Sequence, residues 1–368
     1  VNNYKIEGIG SGLLSDRDTY VETIKIPSTI KYIEAGAFDN FDNLEQIIVE
    51  DGNQYFTSKD GVLYSKNMEE LVYYPKNKSN SSYTIAEETR TIRQGAFYEA
   101  NNLNQIDLSN VEYVEKDAFA GANISSITTH GNLMAVEGGV LKNTPYYEAN
   151  NNIIWDDILL KYTSGEFPDS IKAVAEGAIS GLALDVVEFN QDVIINSKAF
   201  ANCTINEIIF NGDVTMGDAA LYDCVIQDGI SLLKNTVPQI SNTSIYSTEK
   251  VAIMASVPVC DVLSESMLQE YYEVSALQIN VSFESYNGES IDAIQYDYYG
   301  EIATLPEIEK QGYIFDGWYT EDDEKYSIGS IMMSSTDFSL YAVWIPIEYA
   351  ISYDLQGGAS VSYTHLRA

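Results

Sequence analysis

The sequence contains few of the side chains that enzymes use for chemistry. Only 2 of its 368 residues are histidines, so a general base or a zinc cluster built on His130 has almost no further histidine to draw on. It contains no His-Glu-x-x-His, Gly-x-Ser-x-Gly, Walker or Rossmann motif. It also has no Asp-x-Asp-x-Asp-Gly loop of the kind that binds calcium. We therefore predict a protein without catalytic activity, cofactor or metal site.

Cysteines and carboxylates leave two chemical alternatives open. Cys203 and Cys224 stand at equivalent positions of the repeat described below, which indicates a ladder of small buried side chains. A disulfide between them is the first alternative, and a catalytic thiol is a more remote one. Paired carboxylates suited to glycoside hydrolysis are available among the 55 acidic residues. A fragment of a carbohydrate-active protein or a peptidase is therefore a remote alternative.

The balance of charge disfavours several classes of partner. With 20 Lys and Arg against 55 Asp and Glu, the formal net charge is −35. Phosphate backbones and anionic lipids are bound by basic side chains, so we expect neither a nucleic acid partner nor an anionic membrane surface. No apolar run reaches the roughly 18 residues of a membrane-spanning helix. The 28 Tyr residues suit half-buried pleated surfaces and recognition faces.

A degenerate repeat built around Ala-Phe predicts the architecture. Its clearest copy contains, in order, Ile30, Ile33, Gly36, Ala37, Phe38, Phe41, Leu44, Ile47 and Val49. The Phe position, here called the anchor, is filled by Leu14, Phe38, Phe97, Phe119, Ile179, Phe200 and Leu221. A period of about 20–25 residues is typical of a solenoid, in which each turn buries its apolar face against its neighbours.

Two anchor spacings are longer than the period. Phe38 and Phe97 are 59 residues apart, and Phe119 and Ile179 are 60 apart. We interpret each gap as one repeat plus an insertion of about 37 residues. Residues 50–84 contain short apolar runs around Asp60-Gly61, which predict β-hairpins. Residues 153–160, within the second insertion, predict another hairpin. The aromatic residues of the insertions are a second candidate binding surface, although most are expected to pack onto the coil: Tyr55, Tyr73, Tyr146 and Trp155.

The strand that follows each anchor has one face toward solvent, because side chains alternate along a strand. Ile47 is predicted to point inward, and its neighbours outward. The outward set is the candidate ligand-binding face: Gln46, Ile48, Glu50, Gln105, Asp107, Ser109, Ser126, Thr128, His130, Val186, Glu188, Asn190, Glu207, Ile209 and Asn211. Exposed Ile48, Val186 and Ile209 are the candidate contact hot spots. The alternative is a solvated face without a ligand.

The pattern changes after about residue 230. Residues 1–230 are predicted to form the solenoid, and residues 231–280 a C-terminal cap and linker with a helix over 263–277 that begins at Ser264. Residues 281–344 form a separate small domain, in which Trp318 and Trp344 are expected in the core rather than at a sugar site. Residues 345–368 are predicted to be a truncated second copy of that domain, and we expect their tail to be non-native.

Two motifs resemble known families. Residues 26–44 and 195–203 resemble the BspA-like leucine-rich repeat, Ile-Pro-x-x-Val-x-x-Ile-Gly-x-x-Ala-Phe-x-x-Cys-x-x-Leu-x-x-Ile. The insertions at 60–64 and 144–147 look like hairpins of that family. Residues 312–319 and 340–344 resemble the Listeria–Bacteroides repeat, although its paired glycines are replaced by Asn287-Gly288.

The resemblance implies a mainly β fold: a leucine-rich-repeat solenoid with hairpin insertions and short helices, plus a small β-grasp-like domain. It also implies a bacterial cell-surface or secreted protein, extracellular or at the cell wall. Such a protein would mediate adhesion or bind a host or bacterial surface protein or glycoprotein, and we expect it to be a monomer. A structural stalk or spacer for a missing module is the alternative.

Overall fold

A computed structural model describes residues 6–12, 16–247, 250–266 and 272–349. The strands of the first half are β1 (Gly8–Ile9), β2 (Thr23–Ile26), β3 (Tyr32–Ile33), β4 (Gln46–Val49), β5 (Phe56–Lys59), β6 (Val62–Ser65), β7 (Glu70–Tyr73), β8 (Ser82–Thr84), β9 (Thr91–Ile92), β10 (Gln105–Asp107), β11 (Tyr113–Val114), β12 (Ser126–Thr128), β13 (Ala135–Val136), β14 (Ile153–Trp155), β15 (Ile158–Lys161) and β16 (Ala173–Val174). The helices are α1 (Pro145–Ala149) and α2 (Val257–Ser266).

The strands of the second half vary in length from 2 to 9 residues. They are β17 (Ile179–Ser180), β18 (Ala183–Phe189), β19 (Val193–Ile195), β20 (Phe200–Ala201), β21 (Thr204–Phe210), β22 (Val214–Met216), β23 (Leu221–Tyr222), β24 (Val225–Leu232), β25 (Ile245–Tyr246), β26 (Val251–Ala255), β27 (Tyr272–Ala276), β28 (Gln278–Glu284), β29 (Ile294–Asp297), β30 (Tyr313–Tyr319), β31 (Lys325–Tyr326) and β32 (Phe338–Pro346). The chain divides into two compact units, residues 1–230 with 238–251, and residues 231–237 with 252–368.

The first unit is a parallel coil, which confirms the predicted solenoid. Each turn of the coil is called a rung, and most rungs contribute one strand before the anchor and one after it. The strands after the anchors form the orders β2–β4, β8–β10–β12 and β18–β21–β24, and the strands before the anchors form β1–β3, β9–β11–β13 and β16–β19–β22. In the later rungs the anchors themselves form a third sheet, β17–β20–β23–β25. The first predicted anchor, Leu14, lies outside the described residues.

Equivalent residues of successive rungs stack in register. Val114 pairs with Ile92 on one side and Val136 on the other, and all three are buried. Because neighbouring strands lie about 4.8 Å apart, each column becomes a continuous ladder of side chains. The stacked rings of Phe97 and Phe119, with centroids 4.9 Å apart, show this directly. The core therefore exists only in the stack, as the repeat predicts.

The residue before the repeated Ala has a left-handed backbone. Its φ is 76° at Gly36, 63° at Gly95 and 54° at Asp117, and it stays positive at Lys198 and Ala219. Glycine adopts this conformation without a steric penalty, which explains the Gly-Ala-Phe form of the repeat. The turn from this residue through the anchor is called the Ala-Phe turn below.

The interpretation of the second long gap is wrong. Between Phe119 and Ile179 the coil makes two further rungs, whose anchors are Leu141 and Tyr162. The Phe119 amide donates to the carbonyl of Val140, the residue before the next anchor, at 2.9 Å, and Tyr162 forms a parallel bridge with Ile179. Leu141 and Tyr162 fill the core at these positions without the Ala-Phe signature, so the sequence pattern hides them.

The first long gap holds the predicted hairpin, but its 37 extra residues are not all insertion: β7, Tyr74 and β8 form one further rung, in which Tyr74 stacks on Phe97. β5 and β6 pair antiparallel, and β7 rejoins the coil by pairing in parallel with β9. The hairpin predicted over residues 153–160 is also present, as β14 and β15. Residues 144–147 are not a hairpin: Thr144 caps helix α1, accepting a hydrogen bond from the Tyr147 amide at 3.1 Å. Pro145 at the first helical position favours this start.

The prediction after residue 230 needs two corrections. β25 pairs in parallel with β23, so the coil continues past residue 230 into the segment predicted as a cap. The helix is α2, Val257–Ser266, and not residues 263–277. Ser264 therefore lies inside the helix rather than at its start. Tyr272–Ala276 is a strand, in agreement with its alternation of apolar and polar residues; residues 267–271 lie outside the described residues.

The second unit contains a five-stranded sheet in the order β29–β28–β32–β30–β31. β28 and β32 are parallel, and the other pairs are antiparallel. Trp318 is 1% exposed and donates its indole N–H to the Pro306 carbonyl at 2.9 Å. Trp344 is half-buried against the same core and donates to the Ser285 carbonyl. Both tryptophans therefore build the core, as predicted. The predicted boundary between residues 344 and 345 is wrong, because β32 continues to Pro346 and pairs there with β30. Residues 350–368 of the predicted second copy lie outside the described residues.

Candidate ligand-binding face

The candidate face is divided among three sheets of the coil. Alternation holds on each of them: Ile47, Ile106 and Val187 point inward and are almost fully buried, while their neighbours along the strand point outward. The outward residues fall into an N-terminal, a central and a C-terminal group, on β2–β4, β10–β12 and β18–β21. The structure thus brings the predicted residues together within each group. It does not join the three groups into one sheet, because hairpin and loop segments lie between them.

The central group is polar. Gln105 lies opposite Ser126, and Asp107 lies opposite Thr128. The Asp107 carboxylate accepts a hydrogen bond from the Ser109 amide at 2.9 Å and lies 3.0 Å from the His130 Nε2 atom. His130 and Asp107 are both about half exposed, with side-chain accessibilities of 45% and 55%. This exposed pair offers a ligand hydrogen-bond donors and acceptors.

The C-terminal group combines an amide ladder with one apolar contact. Asn211 donates to the Glu188 carboxylate at 2.7 Å and to the Asn190 side-chain carbonyl at 2.9 Å. Val186 lies opposite Glu207 and is 45% exposed. Ile209, opposite Glu188, is half-buried rather than exposed, because rung stacking covers it. Ile209 therefore offers less contact area than the sequence predicts.

The N-terminal group is the smallest. Gln46 donates to the Thr23 hydroxyl at 3.1 Å, and Ile48 lies opposite Lys25 with 39% of its surface exposed. The Glu50 carboxylate accepts a hydrogen bond from the Ser28 amide at 3.1 Å. Glu50 is thus already engaged within the coil, so Ile48 and Gln46 are the available contacts of this group.

Sequence reasoning misses the polar residues of β8. Ser82 lies opposite Gln105 and Thr84 opposite Asp107, and both are exposed. The alternation Ser-Tyr-Thr, with Tyr83 buried, carries the signal for this strand. It is obscured because residues 50–84 are interpreted as one insertion. Among the insertion aromatics, Tyr73 and Trp155 are buried and Tyr146 is half-buried, whereas Tyr55 is 48% exposed.

The cysteines lie beneath this surface. Cys203 and Cys224 are both 1% exposed, and both are free thiols. Pairing with the Cys203 thiol raises the pKa of Cys224, and burial adds to the rise. This confirms the predicted buried ladder. The thiols belong to the core of adjacent rungs and not to the exposed face.

A cluster of charges on the Ala-Phe turns was not predicted. Lys76 is completely buried, and its ammonium donates to the Glu99 carboxylate at 2.7 Å and to the Asp39 carbonyl. Arg17 donates two hydrogen bonds to the same Glu99 carboxylate, from Nη1 at 2.9 Å and from Nη2 at 3.0 Å. It also forms an ion pair with Asp42. Hydrogen bonds from Arg17, with further ones from Lys76, lower the pKa of Glu99 to about 2. Burial raises the pKa of Asp39.

The described residues contain no group of three or more His, Cys, Asp or Glu side chains arranged to hold a metal ion. Neither helix within the described part of the chain is long and apolar enough to cross a membrane. The geometry of the candidate face is therefore that of an exposed, hydrogen-bonding sheet with isolated apolar contacts.

Two protein families match the sequence. The BspA type leucine-rich repeat region matches in 6 copies, over residues 7–148 and 159–286. The Listeria–Bacteroides repeat domain matches residues 280–343. Both matches coincide with the two motifs that the sequence resembles, so both resemblances are confirmed.

Two relatives are proteins of Evansella cellulosilytica that are named as membrane proteins. One is 36% identical over 84 residues, which is 22% of this chain and 12% of the relative. The other, described as Gly-rich, is 31% identical over 102 residues, 27% of this chain and 12% of the relative. The chain thus spans only about an eighth of the length of each relative, as the shares of 12% show.

Solved structures of bacterial leucine-rich proteins are similar at low identity. The pneumococcal vaccine antigen PcpA is 18% identical with a TM-score of 0.33, over 75% of this chain and 61% of PcpA. A leucine-rich cell surface protein from Faecalibacterium prausnitzii is 17% identical with a TM-score of 0.33, over 55% of this chain and 45% of that protein. Likenesses at these TM-scores carry no argument about ligands. The repeat match, however, covers well over half of the chain, and the chain belongs to the BspA-type leucine-rich repeat family.

Proposed function

We propose that the chain is a non-catalytic binding module of a bacterial surface or secreted protein. It uses the exposed sheet face of its coil to hold a host or bacterial surface protein or glycoprotein. The observation that carries the proposal is the outward face of β2–β4, β8–β10–β12 and β18–β21. There, exposed hydrogen-bonding side chains surround the apolar contacts Ile48 and Val186.

The composition of the face supports a protein ligand. Protein interfaces have a few apolar contact residues surrounded by a polar rim. Ile48 and Val186 are 39% and 45% exposed, and Gln, Asp, Glu and Asn side chains surround them. Preformed ladders, such as Asn211 with Glu188 and Asn190, lower the conformational entropy that binding costs. The two Evansella cellulosilytica relatives are named as membrane proteins, which supports a surface location.

The test is a binding screen of the full chain against immobilised matrix proteins and mucins, followed by variants. A charged side chain in place of an apolar contact residue leaves an unpaired, desolvated charge in the interface. Ile48→Asp and Val186→Asp should therefore each weaken capture by about tenfold or more. The matched control is Ile194→Asp, because Ile194 is 50% exposed on β19, a strand of another face.

Two results contradict the proposal. If the Ile48→Asp and Val186→Asp variants still capture the ligand but the Ile194→Asp control does not, the interface lies elsewhere on the coil. A folded chain that binds nothing in the screen, while the longer parent protein adheres, would instead support a structural spacer. Circular dichroism of every variant establishes that it is folded before its affinity is compared.

A further inference from the structure

A groove crosses the Ala-Phe turns of four rungs in the first unit. It has a volume of about 420 Å³ and is lined by Ala35, Gly36, Asp39, Gln94, Gly95, Tyr98, Glu99, Asp117, Ala120, Gly121, Lys142 and Asn143. We call it the turn groove. It belongs to the turns and not to the sheet face proposed above. Its volume is near the lower end of the range for small-molecule sites, roughly 300–1,000 Å³.

The turn groove is built from residues with a left-handed backbone. Asp117 and Asn143 have φ values of 54° and 58°, and Gly36, Gly95 and Gly121 also have positive φ. The glycines supply no side chain, which leaves the concavity open, while Asp117 and Asn143 present a carboxylate and an amide at its wall. The polar groups of the groove are thus fixed by the same turn conformation that builds the coil.

The charges around the turn groove nearly balance. The carboxylates of Asp39, Asp42, Glu99 and Asp117 face the cationic groups of Arg17, Lys76 and Lys142. Lys76 and Arg17 occupy Glu99 fully, so this carboxylate is not free to hold a cationic ligand. The net charge of −35 of the whole chain repels anions at long range. A neutral ligand suits this balance better than an ion of either sign.

The groups that remain available include both donors and acceptors. The Lys142 ammonium and the Gln94 and Asn143 amides donate, and the Asp117 carboxylate accepts. Tyr98 adds an aromatic ring to the lining. Hydroxyl groups on a ring-shaped carbon skeleton complement this mixture.

We propose that the turn groove binds a neutral sugar of one or two rings. The sugar hydroxyls donate to Asp117 and accept from Lys142, Asn143 and Gln94, and the apolar side of the sugar ring contacts Tyr98. This inference rests on the proposed binding function and names a ligand class for it, at a second surface of the same coil. A glycoprotein partner would then be held by its protein at the sheet face and by its glycan at the turns.

The test is calorimetric titration of the full chain with lactose, with galactose and N-acetylglucosamine as single-ring probes. Asp117→Gly and Asn143→Gly remove the polar side chains while glycine keeps the left-handed backbone. Each should weaken lactose binding by about tenfold. The matched controls are Asp60→Gly and Asn202→Gly, which also lie at positive φ, 53° in both cases, but outside the groove. They should leave lactose binding unchanged.

Charge selectivity gives a second criterion. Sialyllactose, which adds a carboxylate, should bind at least about tenfold more weakly than lactose, and tetralysine should not compete. The inference is overturned if none of the neutral sugars binds, if both groove variants bind lactose as the native chain does, or if tetralysine or Ca²⁺ displaces lactose. If neutral sugars fail while the sheet-face variants still abolish capture of a protein, this inference falls and the proposed function stands.

Discussion

At the residue scale, Lys76 and Glu99 show how an acidic coil tolerates a buried charge. Lys76 is fully buried, and its ammonium has Glu99, Asp42 and the Asp39 carbonyl as partners. A buried ion without such partners costs several kcal/mol. Glu99 in turn has Arg17 and Lys76 as donors, so it remains ionised at pH values where an ordinary glutamate is protonated.

The pH dependence of stability tests this arrangement. The pKa of Glu99 is lowered from 4.5 to about 2 by Arg17 first and Lys76 next. A carboxylate with a depressed folded-state pKa stabilises the protein fully above about pH 4.5, and this contribution is lost as the pH falls toward about 2. The free energy of unfolding of the native chain should exceed that of Glu99→Gln by of the order of 1–2 kcal/mol at pH 6, after solvent screening.

Urea unfolding at several pH values measures this difference, which should shrink steadily between pH 4.5 and pH 2. In Arg17→Gln the pKa of Glu99, followed by NMR, should rise toward its ordinary value, because the leading donor is gone. A difference between native chain and Glu99→Gln that stays constant or grows in acid would contradict the assignment.

At this scale the sequence predicts exposure well and function less well. Alternation along a strand correctly places Gln105, Asp107 and Val186 outward, because that rule needs only local geometry. It overestimates the exposure of Ile209, which rung stacking covers. The turn groove is not foreseeable from local pattern, because Asp39, Glu99 and Asp117 are brought together by stacking of rungs far apart in sequence.

At the element scale, the Ala-Phe turn is the recurring unit of the coil: its first residue has positive φ whatever its identity. Where the residue is Gly36 or Gly95 the conformation costs little, whereas at Ala219, with φ of 51°, the Cβ atom is strained. Glycine marks the left-handed position in the sequence, whereas Asp117, Lys198 and Ala219 adopt the same backbone without that signal. The rungs at Leu141 and Tyr162 are missed because their anchors depart from Ala-Phe, although their backbone pairing is similar.

A pair of substitutions at neighbouring alanines tests the turn. Ala219→Gly should raise the free energy of unfolding by about 0.5–1 kcal/mol, since it relieves left-handed strain. Ala220→Gly should lower it by about 1 kcal/mol, because Ala220 is fully buried and its backbone is not left-handed. Chemical denaturation of both variants and the native chain supplies the values. Destabilisation by Ala219→Gly of the same size as by Ala220→Gly would refute the strain argument.

At the scale of the whole molecule, the excess of negative charge lowers the stability of the folded state. With 55 acidic and 20 basic residues, the described ion pairs neutralise only part of the acid, and the remaining carboxylates repel one another across the surface. Such repulsion favours solubility but opposes the compact state. Composition alone predicts this repulsion, because the repulsion depends on the sum of the charges. The ion-pair cluster at Lys76 depends on where the charges lie in the fold, so the sequence does not predict it.

Added salt should therefore stabilise the protein. Raising NaCl from about 0.01 M to about 0.5 M shortens the Debye length from about 30 Å to a few ångströms, which screens the long-range repulsion. The buried Lys76 cluster is screened much less, because solvent ions do not enter it. The urea midpoint should rise with salt, and the free energy of unfolding should rise by about 1 kcal/mol.

Choline chloride at equal ionic strength is the control, since a bulky cation screens charge without occupying a small cation site. Equal stabilisation by both salts indicates screening, while stabilisation by NaCl alone would mean that the acidic surface binds sodium. A midpoint that falls with salt would show that surface ion pairs outweigh the repulsion, and the net charge would then not govern the stability of this coil.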